Sequence, residues 1–428
     1  MEEEEGCMMK RRLVFLAACV AVLALAHTTA FAHVEAGSAA VLAITLDAPV
    51  GYVGIGSEVS VIPVRDGLSA DEVIWRLYLD GRVFPFEGGG KDGISFVPDR
   101  YGTYVVRAIA RVGDVYATRS VRIVAGAGSD EPVAPADRAG VDVSLDTGVN
   151  RRALYSWSSV YLREGYWPTV RQVMSMLDCD TIYQCVPLDA KASDVASFLS
   201  RCQRSGYRVY YLCGAPSWAK EEDAASMLAA VDRAAYLNEC AMEGGIAGFY
   251  GIQYDVEALN RAPIMAQVTK NYEAVMARVS EMRSAGKLQY DLKIEACLSR
   301  SLDSTYGFDN AANGSLTDPV TGAALSYLEY LVKYGCDSVA IMNYGVDEVG
   351  HIAVERTLCA KYGKPIVNIT EMQAVGDATP HNLKPEQTYG DDGVDAAERL
   401  WQSLDAVYPG MGYAYHYLNP MLGLLGIR

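Results

Sequence analysis

Short apolar runs alternate with longer amphipathic stretches throughout the second half of the chain. The apolar runs predict buried β-strands and the stretches between them predict helices, because a parallel sheet covered on both faces produces this alternation. The predicted strands span residues 153–157, 180–186, 208–214, 249–257, 291–298, 337–344, 365–371 and 412–417, and the helices include 193–204, 224–240, 265–282, 326–334, 351–362 and 394–407. Eight such repeats predict a closed (β/α)8 barrel, the TIM-barrel fold, over residues 141–428. An open doubly wound sheet is the alternative, but no Gly-x-Gly-x-x-Gly loop follows an early strand.

Residues 39–125 follow a different pattern, in which short segments of alternating apolar and polar residues are separated by Gly, Pro and Asp. The pattern predicts a small all-β sandwich with strands at 58–64, 72–79, 93–97, 104–111 and 115–124. Tyr101-Gly102-Thr103-Tyr104, just ahead of a strand, resembles the corner of immunoglobulin-like domains. We predict an immunoglobulin-like sandwich over residues 36–126 and an exposed linker at 127–140, with few contacts between the sandwich and the barrel.

The first 32 residues have the composition of a secretory signal peptide. A basic segment, Lys10-Arg11-Arg12, precedes an apolar run that leads to Ala30-Phe31-Ala32, a cleavage pattern of small residues. We therefore expect residues 1–32 to be removed and the mature protein to be secreted from a bacterial cell. The apolar run is shorter than the roughly 20 residues of a membrane-spanning helix, which weighs against an anchor. Cys19 lies in a lipoprotein-like sequence, so lipid attachment at the cell surface is the lesser alternative.

Charge and cysteine content narrow the classes of partner. The formal net charge is −16 and no basic cluster occurs outside the signal segment, so nucleic acid is not an expected partner. Eight cysteines remain after residue 32, an even number that would suit disulfides, although several lie in apolar strands and would equally suit a reduced core. No Cys-x-x-Cys or His-Glu-x-x-His spacing is present, so we expect neither a metal nor an organic cofactor.

The fourth predicted strand carries the most informative polar residues. Side chains alternate between the two faces of a strand, so Gln253, Asp255 and Glu257 share one face. In a (β/α)8 barrel that face is the interior, and the C-terminal ends of the strands form the active face. We therefore expect Asp255 and Glu257 at the mouth of the barrel. The alternative is structural: Asp255 could form a buried ion pair with an Arg or Lys, and Lys293 on the next strand is one candidate.

Other predicted strand ends bring candidate residues to the same face. They are Trp157 after strand one, Trp218 after strand three, Asn343 and Tyr344 at the end of strand six, Glu371 at the end of strand seven, and Tyr415 and His416 in strand eight. Aromatic rings stack on sugars, and paired carboxyl groups can protonate and attack a glycosidic bond. This combination predicts Asp255, Glu257 and Glu371 as catalytic residues and the other side chains, with Gln253, as substrate-binding residues. The aromatic residues and the histidine would equally suit the core.

Residues 249–257, with the sequence Phe-Tyr-Gly-Ile-Gln-Tyr-Asp-Val-Glu, resemble the strand-four signature of glycoside hydrolase family 18, a chitinase-like family of barrel enzymes. Met342-Asn343-Tyr344 resembles the strand-six motif of that family. The resemblance implies that Glu257 is the general acid, that Asp255 orients the N-acetyl group of the substrate, and that Tyr344 contacts this group. The substrate's own N-acetyl group would then be the nucleophile. Tyr250 and Gln253 stand where the family has Asp.

Glu371 supports a second mechanism. It resembles the nucleophile at the end of strand seven in many retaining barrel glycosidases, which pair it with an acid/base Glu on strand four. Glu257 would be the acid/base and Glu371 the nucleophile, and the sequence favours this pair slightly. Glu371 would equally suit a residue that accepts a hydrogen bond from the substrate or caps a loop.

These patterns predict a secreted glycoside hydrolase that cleaves O-glycosidic bonds of an extracellular or cell-wall polysaccharide. Its partner would be a poly- or oligosaccharide, encountered free or at the cell wall and surface. The rival from another class is a non-catalytic carbohydrate-binding protein, which Tyr250 and Gln253 support. A third hypothesis, hydrolysis of amide bonds in peptidoglycan, would normally require a set of metal ligands that the sequence lacks.

Overall fold

The computed structural model of the protein describes residues 45–49, 52–64, 72–79, 82–100, 102–112, 115–125, 151–256, 262–288, 291–345, 349–377 and 383–427. The predicted signal peptide, the predicted linker and Glu257 lie outside these residues. No helix of the described ranges is both long and apolar enough to cross a membrane.

The N-terminal part consists of short strands in two sheets. The strands are β1 (Thr45–Asp47), β2 (Tyr52–Val53), β3 (Val59–Val64), β4 (Glu72–Leu79), β5 (Arg82–Val83), β6 (Glu87–Gly88), β7 (Ile94–Phe96), β8 (Gly102–Val112) and β9 (Val115–Ala125). One sheet has the order β1-β3-β7-β6 and the other the order β2-β9-β8-β4-β5. Alternate residues of β4 and β8, such as Leu77 and Val106, share one hydrophobic core with β3 and β7. The two sheets therefore pack face to face, and the immunoglobulin-like assignment of this part stays a prediction.

Eight parallel strands close into a barrel in the order of the chain. They are β10 (Arg152–Ser156), β11 (Thr181–Cys185), β12 (Arg208–Cys213), β13 (Gly251–Asp255), β14 (Lys293–Ser299), β17 (Ser338–Met342), β18 (Ile366–Glu371) and β19 (Gly412–His416), and a small hairpin of β15 (Ser315–Thr317) and β16 (Ala324–Ser326) lies between β14 and β17. The predicted (β/α)8 barrel is confirmed, and the open-sheet alternative is wrong.

Helices cover the outside of the barrel. They are α1 (Trp167–Met176), α2 (Ala192–Arg204), α3 (Ala225–Glu243), α4 (Ala262–Ser284), α5 (Ser301–Ser304), α6 (Tyr327–Tyr330), α7 (Ala353–Tyr362), α8 (Val394–Val407) and α9 (Leu418–Leu424). Residues Leu331–Gly335 continue α6 as a π-helix. Gly363 ends α7 in the left-handed conformation, with φ of 65°, which glycine adopts without a steric penalty.

The two faces of each barrel strand contact different cores. In β19, Tyr413 and Tyr415 belong to the large core between strands and helices, whereas Ala414 belongs to the cluster that fills the barrel interior. At the N-terminal end of the strands, the buried carboxylate of Glu295 accepts hydrogen bonds from Arg151 and Ser338. This ion pair lies in the barrel interior towards the N-terminal ends of the strands. The opposite, C-terminal ends carry the active groups in barrels of this type and are here called the barrel mouth.

Contacts between the all-β part and the barrel are more extensive than the sequence predicts. Tyr78 of β4 and Val105 of β8 are fully buried and belong to the hydrophobic core of the barrel. Arg107 of β8 forms a buried ion pair with Asp391. The described residues of both parts form one compact unit. The reason is that β4 and β8 bury both faces, one against the second sheet and one against the barrel.

Candidate active site

The C-terminal ends of β18 and β19 bring a carboxylate and an imidazole together. Glu371 and His416 are register partners on the two adjacent strands, so their side chains leave the sheet side by side. The Nδ1 atom of His416 lies 2.8 Å from Oε2 of Glu371. The other oxygen of Glu371, Oε1, accepts hydrogen bonds from the backbone N–H groups of Met372 at 2.9 Å and Gln373 at 2.8 Å. The carboxylate is only 4% exposed, and donors surround both of its oxygens.

Trp157 determines which nitrogen of His416 carries a proton. The indole N–H of Trp157 donates to Nε2 of His416 at 3.0 Å, so Nε2 must be an acceptor. The proton therefore resides on Nδ1, which donates to Glu371. With both ring nitrogens engaged, His416 links the side chains of Trp157 and Glu371 and orients both.

The fourth barrel strand places its polar residues in the interior, as the sequence predicts. Gln253 is completely buried, and its Nε2 donates to the hydroxyl of Tyr155 at 2.6 Å. Asp255 ends the strand two residues later and is half-buried. Burial raises the pKa of Tyr155 well above its usual value, with smaller contributions from Cys297, Tyr183 and other groups. Its hydroxyl therefore stays neutral and can act as a hydrogen-bond donor at the mouth.

Gly214, the first residue after β12, allows the chain to cross directly over the end of β13. A Cβ atom on this glycine would lie 1.9 Å from the backbone oxygen of Asp255. Its φ of 151° is also unfavourable for residues with a side chain. The backbone of Asp255 is thus held by close packing from the neighbouring loop.

Aromatic rings form a wall around His416. The ring of Tyr344 lies 5.6 Å from the imidazole, that of Tyr417 lies 4.9 Å away, and that of Tyr155 lies 5.5 Å away, measured between centroids. Trp157 and Tyr344 are only half-buried. The mouth therefore presents aromatic surface beside two carboxylates, which is an arrangement suited to sugar rings.

Five of the predicted site residues lie at the mouth, one lies deeper in the barrel interior, and three lie elsewhere. The five are Trp157, Asp255, Tyr344, Glu371 and His416, and the interior residue is Gln253. Asn343 is buried on the helix side of the sheet and donates to Asn368 at 3.0 Å. Tyr415 is fully buried and contacts Trp401 of α8, and Trp218 packs against Tyr254 in the outer core.

The strand register bears on Lys293, the candidate ion-pair partner of Asp255. Lys293 is level with Gly251 in the strand register, whereas Asp255 is level with Cys297. Four residues of strand separate the two levels, or about 13 Å. Lys293 instead lies 2.5 Å from Asp291, so it belongs to the bottom of the barrel.

Neither a disulfide nor a metal-binding cluster is found among the described residues. No disulfide links the eight cysteines between Cys179 and Cys359, all of which lie in the described ranges. Five of them are buried, in agreement with the reduced-core interpretation. Among the described residues, no group of three or more His, Cys, Asp and Glu side chains could hold a metal ion.

Known proteins resemble this chain in fold. Solved structures similar to it include barrel glycoside hydrolases. Fungal β-1,4-galactanases are 11% identical, with a TM-score of 0.42 over 63% of this chain and 89% of theirs. The class V chitinase of Nicotiana tobaccum is 13% identical, with a TM-score of 0.40 over 65% of this chain and 96% of its own. A GH18 chitinase from Pseudoalteromonas aurantia is 9% identical, with a TM-score of 0.38 over 65% and 99%. No family model and no curated protein matches the sequence.

Two residues of the site are not among the sequence candidates. Tyr155 lies two residues before Trp157 on β10, so strand alternation places both on the interior face. Tyr417 follows His416 directly, and its ring contact depends on where the strand ends. Alternation alone could have identified Tyr155, whereas no sequence signal identifies Tyr417.

Proposed function

We propose that the protein is a glycoside hydrolase whose reaction takes place at the barrel mouth. One observation carries the proposal: Asp255 and Glu371 end barrel strands at the same face of the barrel, where Trp157 and Tyr344 are half-buried. Carboxylates beside aromatic rings are the groups that glycosidic-bond hydrolysis requires. The substrate class is a poly- or oligosaccharide.

The contacts of Glu371 favour the substrate-assisted mechanism over the covalent one. A nucleophilic carboxylate needs an oxygen that can approach the anomeric carbon. In Glu371, Oε1 accepts two backbone N–H groups and Oε2 accepts His416, and the side chain is almost completely buried. Glu371 is therefore better suited to hold His416 in place by a hydrogen bond than to act as a nucleophile. Asp255 would orient the N-acetyl group and Glu257 would protonate the leaving oxygen, so the substrate would be a 2-acetamido sugar.

The test compares Glu257→Gln, Asp255→Asn and Glu371→Ala on oligosaccharides of N-acetylhexosamine and on matching sugars without the acetamido group. We expect hydrolysis of the acetamido sugars alone. Loss of the general acid in Glu257→Gln should reduce kcat by at least about 100-fold, and Asp255→Asn should be similarly damaging. Glu281→Gln, on an exposed helix face, is the control for the carboxyl-to-amide change.

Azide separates the two mechanisms. If Glu371 is the nucleophile, azide should restore turnover to Glu371→Ala, because it can enter the space left by the carboxylate and attack the anomeric carbon. The glycosidic bond then breaks, the leaving sugar departs with a proton, and a glycosyl azide forms. The substrate-assisted mechanism predicts no such rescue. Azide rescue, or turnover of sugars without the acetamido group, would establish the covalent pair of Glu257 and Glu371 instead.

A carbohydrate-binding protein without activity is the second candidate. The specific observation in its favour is Gln253, a neutral amide that donates to Tyr155 in the interior where the resembling family has Asp. Wild-type protein that binds a glycan panel but hydrolyses none of it would support this candidate.

Export completes the proposal. The N-terminal residues resemble a bacterial signal peptide, so the substrate would be an extracellular or cell-wall polysaccharide.

The corner predicted for the immunoglobulin-like sandwich has support in Tyr104, whose hydroxyl donates to the carbonyl of Arg100 at 3.0 Å.

A further inference from the structure

A buried arginine of the all-β part contacts the loop that follows the seventh barrel strand. This strand-seven loop comprises residues 372–377 and 383–393. Arg107 of β8 is only 5% exposed, and its guanidinium donates to the carbonyl of Gly390 at 2.7 Å and to Asp391 at 3.3 Å. Its Nε donates to Ser120 of β9 at 3.2 Å. The guanidinium is therefore fixed on its own sheet and reaches into the barrel.

Asp391 transmits this contact to the other side of the loop. One carboxylate oxygen accepts from Arg107, and the other accepts from the backbone N–H of Val375 at 2.9 Å. Burial raises the pKa of Asp391, and the charge of Arg107 opposes this effect. The hydroxyl of Tyr78, also from the all-β part, donates to the carbonyl of Asp391. Asp391 thus links the two halves of the loop, and Arg107 and Tyr78 of the all-β part hold Asp391 in place.

The same loop holds Glu371 in place. The backbone N–H of Tyr389 donates to the carbonyl of Glu371 at 2.9 Å, and the hydroxyl of Thr388 donates to the carbonyl of Gln373 at 2.6 Å. Gly390 lies so close to Gln373 that a Cβ atom would be 2.4 Å from its carbonyl carbon. The N–H of Gln373 in turn binds the carboxylate of Glu371.

We infer that Arg107 is a positioning residue for the barrel mouth: through Gly390 and Asp391 it fixes the strand-seven loop, which holds Glu371 against His416 and thereby orients Trp157. The all-β part is then a component of the active site's support rather than a detachable module. The expected fall in turnover rests on the proposed function, whereas the expected change in the orientation of Trp157 does not.

The experiment compares Arg107→Lys with Arg82→Lys in the full chain. Lysine keeps the charge but cannot reproduce the fork that binds Gly390, Asp391 and Ser120 together. Arg82 is the matched control, because it pairs with Asp395 and Glu398 across the same interface, is largely exposed and does not contact the strand-seven loop. The readout is the indole N–H signal of Trp157 in a ¹H–¹⁵N spectrum, one of five tryptophans in the chain, assigned by its loss in Trp157→Phe.

We expect Arg107→Lys to shift or broaden the Trp157 signal. We also expect it to lower kcat by roughly ten- to a hundredfold with KM nearly unchanged, because a displacement of about 1 Å can reduce a rate by that factor. Arg82→Lys should change neither. If the lysine variant does not fold, the double variant Arg107→Met, Asp391→Asn removes both buried charges and should show the same shift. An unshifted Trp157 signal in a folded Arg107 variant would overturn the inference. Wild-type protein without hydrolytic activity would refute the proposed function alone, because the signal is independent of turnover.

Discussion

The carboxylate of Glu371 shows how neighbouring groups determine the role of one residue. Position at a strand end suits a nucleophile, an anchor or a loop cap equally. Its hydrogen bonds distinguish these roles, because three donors occupy the two oxygens of this buried carboxylate. Neither oxygen is then directed at a substrate, as a nucleophile would require. Only the fold can reveal such contacts, since the donors come from the next two backbone groups and another strand.

Glu355 on α7 is an acidic residue without such support. It is 0% exposed, and neither carboxylate oxygen has a hydrogen-bond partner in another described residue. Burial raises its pKa to about 8, and the nearby charges of Asp303 and Asp309 add to the effect. Glu355 is therefore protonated in the folded protein at neutral pH and ionised in the unfolded chain.

Replacing Glu355 by glutamine should make the protein less sensitive to alkaline pH. A raised pKa means that the folded state retains a proton which the unfolded state has lost, so stability falls as pH rises from about 4.5 to about 8. Over this window the loss amounts to about 5 kcal/mol, at about 1.36 kcal/mol per pH unit. We expect Glu355→Gln to match wild type near pH 4.5 and to exceed it at pH 8.5.

Thermal unfolding at several pH values provides the measurement. Glu281→Gln, on the exposed surface of α4, should differ from wild type by a constant small amount throughout. Equal pH dependence of wild type and Glu355→Gln would mean that Glu355 is ionised in the folded protein.

Strand alternation explains which site residues could be predicted. Gln253 and Asp255 are two apart and share the interior face, as expected. Asn343 and Tyr344 are adjacent, as are Tyr415 and His416, so only one member of each pair can face the interior. Tyr344 and His416 do, and the other two lie in the outer core. The positions of the strand ends could therefore be predicted from the sequence. Which side chain of an adjacent pair faces the barrel interior could be predicted only by following the alternation residue by residue along the strand.

At the scale of elements, hydrophobic pattern predicted the barrel well. Buried parallel strands are nearly continuous apolar runs, so all eight lie within a few residues of their predicted bounds. The hairpin of β15 and β16 was not predicted, because its strands have only three residues each and bury few side chains. Contacts between the all-β part and the barrel were also missed, since alternation in β4 and β8 predicts one buried face and both are buried.

Gly214 should be intolerant of any side chain, because its loop touches the end of β13. Gly214→Ala places a methyl group 1.9 Å from the Asp255 carbonyl and strains a φ of 151°. We expect a loss of about 2 to 4 kcal/mol in the free energy of unfolding, from overpacking and backbone strain together. Gly165→Ala is the matched control, because a Cβ there meets no atom within 4 Å.

Denaturant unfolding measures the effect of both glycine variants, and glycan hydrolysis or binding by the surviving folded protein reports on Asp255. If Gly214→Ala is as stable as Gly165→Ala, the loop after β12 does not hold the end of β13.

At the scale of the whole molecule, charge complementarity joins the all-β part to the barrel. Arg76, Arg82 and Arg107 face Asp391, Asp392, Asp395 and Glu398 across the interface. The exposed ion pairs add at most about 1 kcal/mol each to the free energy of unfolding. The buried pair of Arg107 and Asp391 behaves differently. Removing one partner of a buried pair costs about 3 to 5 kcal/mol, because the remaining charge stays desolvated.

A chain that begins at residue 141 should therefore be less stable than the intact protein. It lacks Arg107 and Tyr78, so Asp391 loses its partner and the barrel surface that Tyr78 and Val105 cover becomes exposed. We expect its unfolding midpoint to fall by about 10 °C, because each apolar barrel side chain that becomes exposed costs about 1.5 to 3 kcal/mol, at roughly 2 to 4 °C per kcal/mol. We also expect the full chain to unfold in one calorimetric transition, because the two parts share a core. Two independent transitions in the full chain, with the later one unchanged in the shortened chain, would show that the interface stabilises neither part and that the linker separates them, as the sequence alone predicts.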